Sequence, residues 1–353
     1  MSLSTRLGYA LGSLAAMTLV TGCSSGGQQV ASLGAGNGAS AQSARAGVGR
    51  GSPYATSLAP AQAANDRPGD PTKSWMNAPN TLTRLTYVSD FRQSNITVFG
   101  RNGVIQGEIK SVLNPQGMFV DSARNLWVAN TGSSNVLVYP RGATSPSSTL
   151  SDTGFLPVDV TICPNGTVYV SNIFTAPSGP GNIEVYAGGS TSPTGVLTDS
   201  RVVKGLFLTC DAKNNVFWDF TGAGSVSFVV EFAGGKQSNE TTLPIALGFP
   251  GGIKPDNAGN LLVNDQNSHT IAEYTEAGAP TGLSIASDPT ADCVDIAVTR
   301  NSKVVGCAIF TFSAPPGGHT YTFPGGVSRK MYTNGLSQPL GIAFDPIQKG
   351  LGK

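Results

Sequence analysis

The residues able to do chemistry are few. Five cysteines, Cys23, Cys163, Cys210, Cys293 and Cys307, occur without a CxxC or paired Cys/His spacing, so no zinc-ligand pattern is present. His269 and His319 are the two histidines. A general base needs a positioned partner within about 3 Å, and no neighbouring motif supplies one to either. Gly188-Gly189, Gly234-Gly235 and Gly325-Gly326 form neither a nucleophile elbow nor a phosphate-cradling loop, and fall where turns are expected. Acids and amides recur instead, with Asp90, Asn130, Asn172, Asp219 and Asp265 each closing a short apolar stretch. A group needed once per stretch suits bonding loop N–H groups, here to fix the turn into the next strand, better than it suits reaction chemistry.

The elements that carry these residues are copies of one unit. Pro115-Gln116-Gly117-Met118-Phe119-Val120-Asp121 is followed by Asn125-Leu126-Trp127-Val128-Ala129-Asn130 and Asn135-Val136-Leu137-Val138-Tyr139. The same order returns from Asp159 to Tyr186 and from Pro250 to Tyr274, with degenerate copies from Leu206 to Phe232 and from Val294 to Phe323. Three short alternating strands joined by Asx/Gly turns, with a weaker fourth stretch, make a propeller blade, and about six units of about 45 residues fill the chain beyond Leu82. Gly 45, Pro 23 and 12% charged residues agree with a turn-rich all-β protein. The first unit lacks its Pro-x-Gly strand, while Pro339-Leu340-Gly341-Ile342-Ala343-Phe344-Asp345 stands alone near the end. The expected fold is therefore all-β, a six-bladed β-propeller over residues 81–348, closed by a C-terminal strand that completes the first blade as its innermost strand. Trp127, Tyr169, Phe217, Tyr139, Tyr186, Phe232 and Tyr274 recur in register and are expected to pack between blades.

Repeat register also suggests cysteine partners. Cys293 aligns with the start of an innermost strand and Cys307 with the end of the next, which places them opposite each other; Cys163 and Cys210 fall at equivalent ends of the innermost strands of blades 3 and 4. Buried free thiols are the alternative. Both histidines lie beside the position that opens a third strand, and read as turn residues.

The Pro-x-Gly-[apolar]-x-x-Asp, Gly-Asn-Leu-Tyr-Val-[Ala/Ser]-[Asn/Asp] and Asn-x-[apolar]-x-Val-[Tyr/Phe] elements resemble those of NHL-repeat propellers over about three quarters of the chain. That scaffold serves binding modules, virginiamycin B lyase-like enzymes and gluconolactonase-like hydrolases alike. In its catalytic members, side chains at the starts of the innermost strands converge at the channel mouth, often around a divalent cation. Here the resemblance points to Gln116, Asp159 and Asp295, beside Gly251 or Gly252, Leu340 and the region of Lys204. Two carboxylates and an amide fall short of the six to eight oxygens that Ca²⁺ usually takes. The catalytic histidines of the lyase-like enzymes have no match. The favoured expectation is a non-catalytic binding or scaffold module for a protein, peptide or glycan, needing no cofactor or metal; the alternative is a cation-dependent lactonase or lyase.

The N-terminus is an address. Arg6 precedes an apolar run of signal-peptide length, and Leu19-Val20-Thr21-Gly22-Cys23 resembles the bacterial lipobox. The resemblance implies a signal peptide over 1–22 and acylation of Cys23, whose chains would hold the protein in membrane lipid. Ser24, rather than Asp, implies an outer-membrane destination in a diderm host. Residues 23–80, poor in apolar periodicity, read as a flexible linker of Gly, Ser, Ala and Gln with Trp75 and Met76 placed to pack on the domain rim. A net charge of +1 without a basic block leaves no footprint for nucleic acid. A lipid-anchored, extracytoplasmic monomer in the bacterial cell envelope is expected.

Overall fold

Strands whose side chains are buried on both faces belong inside stacked sheets, and the blade sequences read that way: Leu85–Asp90, Pro115–Val120 and Val216–Gly222 are buried at every position. The computed structural model describes residues 72–77, 84–175, 179–310 and 315–345. Residues 1–22, Cys23 and most of the 23–80 tract lie outside the described residues.

Six antiparallel sheets form the six blades of a propeller. Blade 2 comprises Pro115–Val120, Leu126–Asn130, Asn135–Tyr139 and Ser148–Ser151, innermost to outermost; blades 3 to 6 begin with the innermost strands Phe155–Ile162, Val202–Cys210, Pro250–Pro255 and Asp292–Val298 and repeat the order. Blade 1 is completed by the C-terminal strand Pro339–Asp345, which pairs with Leu85–Asp90 as the innermost strand. Each innermost strand packs against those on either side, closing the ring. Trp75–Met76 adds a fifth strand to blade 1, pairing with Glu108 and Gly107, so these two residues meet the rim as expected. Among the described residues, no helix is long and apolar enough to cross a membrane.

Recurrent polar residues hold the repeat together. At the turn after the innermost strand, Asp121, Asp211 and Asp256 each accept a hydrogen bond from the backbone N–H four residues on. This turn needs a left-handed residue, supplied by Gly166 and Gly259 in two blades and by Arg124, at φ 71°, in blade 2. At the opposite end Asp90 accepts the N–H groups of Gln93, Ser337 and Gln338, and Asp265 those of Gly248, Phe249 and Asn267. Asn130 accepts from Leu113 N–H. These side chains therefore fix the loop leading into their blade's innermost strand as well as the turn into the third strand.

Asp219 and His319 depart from the sequence expectation. Trp218 pairs with Leu208 as Val128 pairs with Met118, so Phe220, not Asp219, is in register with Asn130. A slip of one residue moves a side chain to the other face of its strand. Asp219 is consequently buried between blades rather than capping a loop. His319 is the third residue of strand Gly317–Thr322, paired with Cys307 and 1% exposed, because the strand starts two residues before it. Burial pulls its pKa down to about 4, so it is neutral at physiological pH. His269 does occupy a turn, at φ 54°.

Both cysteine pairs are disulfides. Cys163 and Cys210 join blades 3 and 4 with Cα atoms 5.3 Å apart, and Cys293 and Cys307 join neighbouring strands of blade 6 at 5.5 Å.

Candidate ligand-binding mouth and the ion cluster beneath it

The Pro-x-Gly position explains where the carboxylates lie. Glycine at 117 and 252 is replaced by aspartate at 159 and 295 in the following blades, and each aspartate fills the space its neighbour's glycine leaves. A Cβ on Gly117 would stand 2.4 Å from Asp159 Oδ1, and one on Gly252 2.6 Å from Asp295 Oδ1. Asp159 accepts from its own neighbour Val160 N–H (2.9 Å) and from Leu208 N–H of blade 4 (3.2 Å). Asp295 repeats the arrangement with Ile296 N–H (2.8 Å) and Ile342 N–H of blade 1 (3.2 Å). Each carboxylate thus ties its own strand to the innermost strand of the next blade.

Lys254 of blade 5 joins the two. Its Nζ lies 3.2 Å from Asp159 Oδ2 and 3.8 Å from Asp295 Oδ1. Blades 3 and 5 are not neighbours, so the first contact spans the channel. Burial disfavours the ammonium, but Asp159 and Asp295 more than offset it and hold Lys254 protonated. Burial pushes Asp295 up to about 7 against the pull of Lys254. Asp219 sits in the same field; its Oδ1 accepts Phe207 N–H (2.8 Å) and its Oδ2 is buried without a partner. Burial first, then the neighbouring Asp159, raises its pKa well above the usual carboxylate value.

Gln116 lies apart from this cluster. It is one register position earlier than Asp159 and Asp295, on the other face of its strand, and donates to Thr131 Oγ1 at 3.0 Å. A divalent cation fits this donor set poorly: both ionisable pairs of oxygens on Asp159 and Asp295 already accept backbone N–H groups, and an ammonium stands between them. Among the described residues, no group of three or more His, Cys, Asp and Glu is placed to hold a metal ion.

Above the cluster, where the innermost strands begin, the channel is apolar. Leu340, Val158, Leu206, Phe249, Val294 and Phe310 belong to one buried cluster drawn from blades 1, 3, 4, 5 and 6, with the half-buried Phe91, Leu156, Phe174 and Leu247 against it. Blade 2 contributes Gln116 at this level. The rim is uneven. Blade 2 ends its inner pairing at Pro115 and Asn130, whereas blade 3 continues to Phe155 and Thr175 and blade 4 to Val202 and Gly222. These extensions raise a wall on one side of the mouth. It carries Val203 (40% exposed), Val226 (52% exposed), Phe174 and Phe228, with Lys204 Nζ 5.7 Å from the Phe174 ring centroid and the Arg201 guanidinium 4.5 Å from that of Phe228. The opposite face of the ring is charged, with Arg124, Arg141, Lys213, Glu276 and Lys303 among its residues.

Fold and site together define a six-bladed β-propeller with a blocked channel and one built-up mouth. No known family's sequence profile matches the chain, and no curated protein matches it in sequence. Solved structures match in shape. A chain of a nidogen/laminin complex superposes with a TM-score of 0.59 at 13% identity, over 75% of this chain and 100% of that one. A streptogramin B lyase gives 0.52 at 14% identity, over 73% of this chain and 83% of that one. A protein of unknown function from Bacteroides caccae gives 0.56 at 11%, over 74% and 98%. At such identities the likeness is one of fold.

Sequence reasoning missed Lys254 and the raised wall. The alternation of Gly and Asp at one repeat position, 117 with 159 and 252 with 295, was a legible sign that these carboxylates are buried between blades. Nothing comparable marks Lys254, a lone lysine in an otherwise apolar strand.

Proposed function

We propose that this chain is an envelope lipoprotein, acylated at Cys23, whose propeller acts as a non-catalytic binding module through the mouth face over blades 3 and 4. The observation carrying this reading is the contrast between the two halves of the channel. The carboxylates below are saturated by backbone N–H groups and Lys254, while the wall above leaves Val203 and Val226 exposed beside aromatic rings. A nidogen/laminin complex among the structural counterparts is consistent with a binding role for such a ring. The linker is proposed to leave the domain clear of the bilayer, with a reach of roughly 40 Å for about 55 flexible residues.

A photo-crosslinking residue placed at Val226, in cells, is expected to form adducts that the same residue at Val327, on the opposite face, does not form. Equal adducts at both positions would remove the reading. Replacement of Cys23 by Ser should release the protein from the membrane fraction; retention there would remove the lipid anchor.

The rival reading, a cation-dependent lactonase or lyase, draws on the convergence of Asp159, Asp219 and Asp295 and on the fold shared with a streptogramin B lyase. It requires displacement of Lys254. A rise in melting temperature with Ca²⁺, Mg²⁺ or Mn²⁺ that disappears in Asp159→Ala and Asp295→Ala would favour it over the binding module.

A further inference from the structure

Lys204 differs from the other cations of the inner ring. Lys254 lies between two carboxylates, and Arg201 is held by Asp199 and Thr242. Lys204 is 8% exposed, yet no hydrogen bond or ion pair reaches its Nζ among the described residues; its one contact of this kind is the Phe174 ring. Its pKa is lowered by burial, and no carboxylate stands near enough to raise it. The stem is buried while the ammonium, beside the Phe174 ring, keeps access to the mouth, so it is a cation without a carboxylate partner at the edge of an apolar surface.

The backbone holds this cation in place. Lys204 pairs with Thr221, and the next residue, Gly205, is packed so closely on blade 3 that a Cβ there would lie 2.4 Å from Asn172 O. The ammonium therefore cannot retreat by a shift of its strand. The half-buried Leu156 and Phe174 both pack on the apolar cluster at the channel mouth, and Val203, one residue before Lys204 and on the other face of the strand, is exposed.

We propose that the mouth over blades 3 and 4 is a site for a monocarboxylate attached to an apolar or aromatic group, with Lys204 as the counter-ion; this rests on the binding-module reading above. The charge is matched one to one. A phosphate dianion would leave a charge uncompensated in apolar surroundings, and a neutral ligand would leave the ammonium as it is. Phe174, which the ammonium faces, and Leu156, which packs on the same apolar cluster, supply the surface for the attached group.

The full chain with Cys23→Ser, titrated with 3-phenylpropionate and with the neutral 3-phenylpropanamide and followed by saturation-transfer NMR, tests this. The acid is expected to bind at least about tenfold more tightly than the amide, the factor a charge-assisted hydrogen bond supplies. Lys204→Met should reduce the acid to the amide's level without lowering the melting temperature, and Lys204→Arg should restore part of the difference. Equal binding of acid and amide, with both lost in Phe174→Ala, would overturn the carboxylate assignment and keep the mouth as a binding face. Binding of neither probe by folded protein would overturn the site as well.

Discussion

At the scale of single residues, the channel cluster makes opposite predictions for its members. Lys254→Met leaves Asp159 and Asp295 buried without their ammonium, and is expected to cost about 3–5 kcal/mol in denaturant unfolding. Asp219→Asn keeps the acceptor for Phe207 N–H and removes a carboxyl whose ionisation burial disfavours. A carboxyl whose folded pKa is raised stabilises the protein in acid, and that contribution is lost as pH rises above the unfolded value of about 3.9. The variant should therefore be more stable than the wild type at neutral pH, because an amide stays neutral in both states while the carboxyl of the unfolded chain ionises. The melting-temperature difference should shrink as pH falls towards 4; a constant difference would mean that Asp219 is ionised. These roles were partly legible. Asp159 and Asp295 stand out because carboxylates replace glycine at a repeat position, but Asp219 was hidden by a one-residue slip that looks trivial along the chain and reverses the face of a strand. His319 was hidden differently, by a third strand that begins two residues before the expected turn position.

At the scale of elements, the loops and disulfides carry the testable differences. The bond between Cys163 and Cys210 spans 47 residues of sequence and that between Cys293 and Cys307 spans 14. In the loop-entropy account, removing the longer one should cost about 1 kcal/mol more than removing the shorter, measured by unfolding the two double Cys→Ala variants. Both pairings were readable from register: Cys163 and Cys210 stand near the same end of adjacent innermost strands, and Cys293 and Cys307 lie across from each other on paired strands of one blade. The wall over blades 3 and 4 was not readable. It arises from a few added residues on strands that already fit the repeat, and period-2 patterning says where a strand runs but not how far it continues past the mouth.

At the scale of the molecule, closure depends on the last described strand. Asp345, at its end, is gripped by Arg124 and by Arg141, both of blade 2, with Arg141 Nε 2.6 Å from Asp345 Oδ2. Arg124 can do this only from a left-handed turn position that costs a non-glycine residue about 1 kcal/mol or more. Ending the chain before Pro339 should strip Asp90 of its Ser337 and Gln338 donors' anchoring strand, expose the edge of Leu85–Asp90, and replace one cooperative thermal transition by a broad one. The orphan Pro339–Asp345 segment made this closure legible before any coordinates, since a unit lacking its first strand and a first strand lacking its unit complete each other. The seam has a temporal meaning too. Asp90 bonds to a residue 248 positions later, so an N-terminus-first chain holds an unpaired strand edge until Pro339–Asp345 arrives. Throughout that interval the exposed edge of the unfinished ring is open to pairing with the strand edges of other chains.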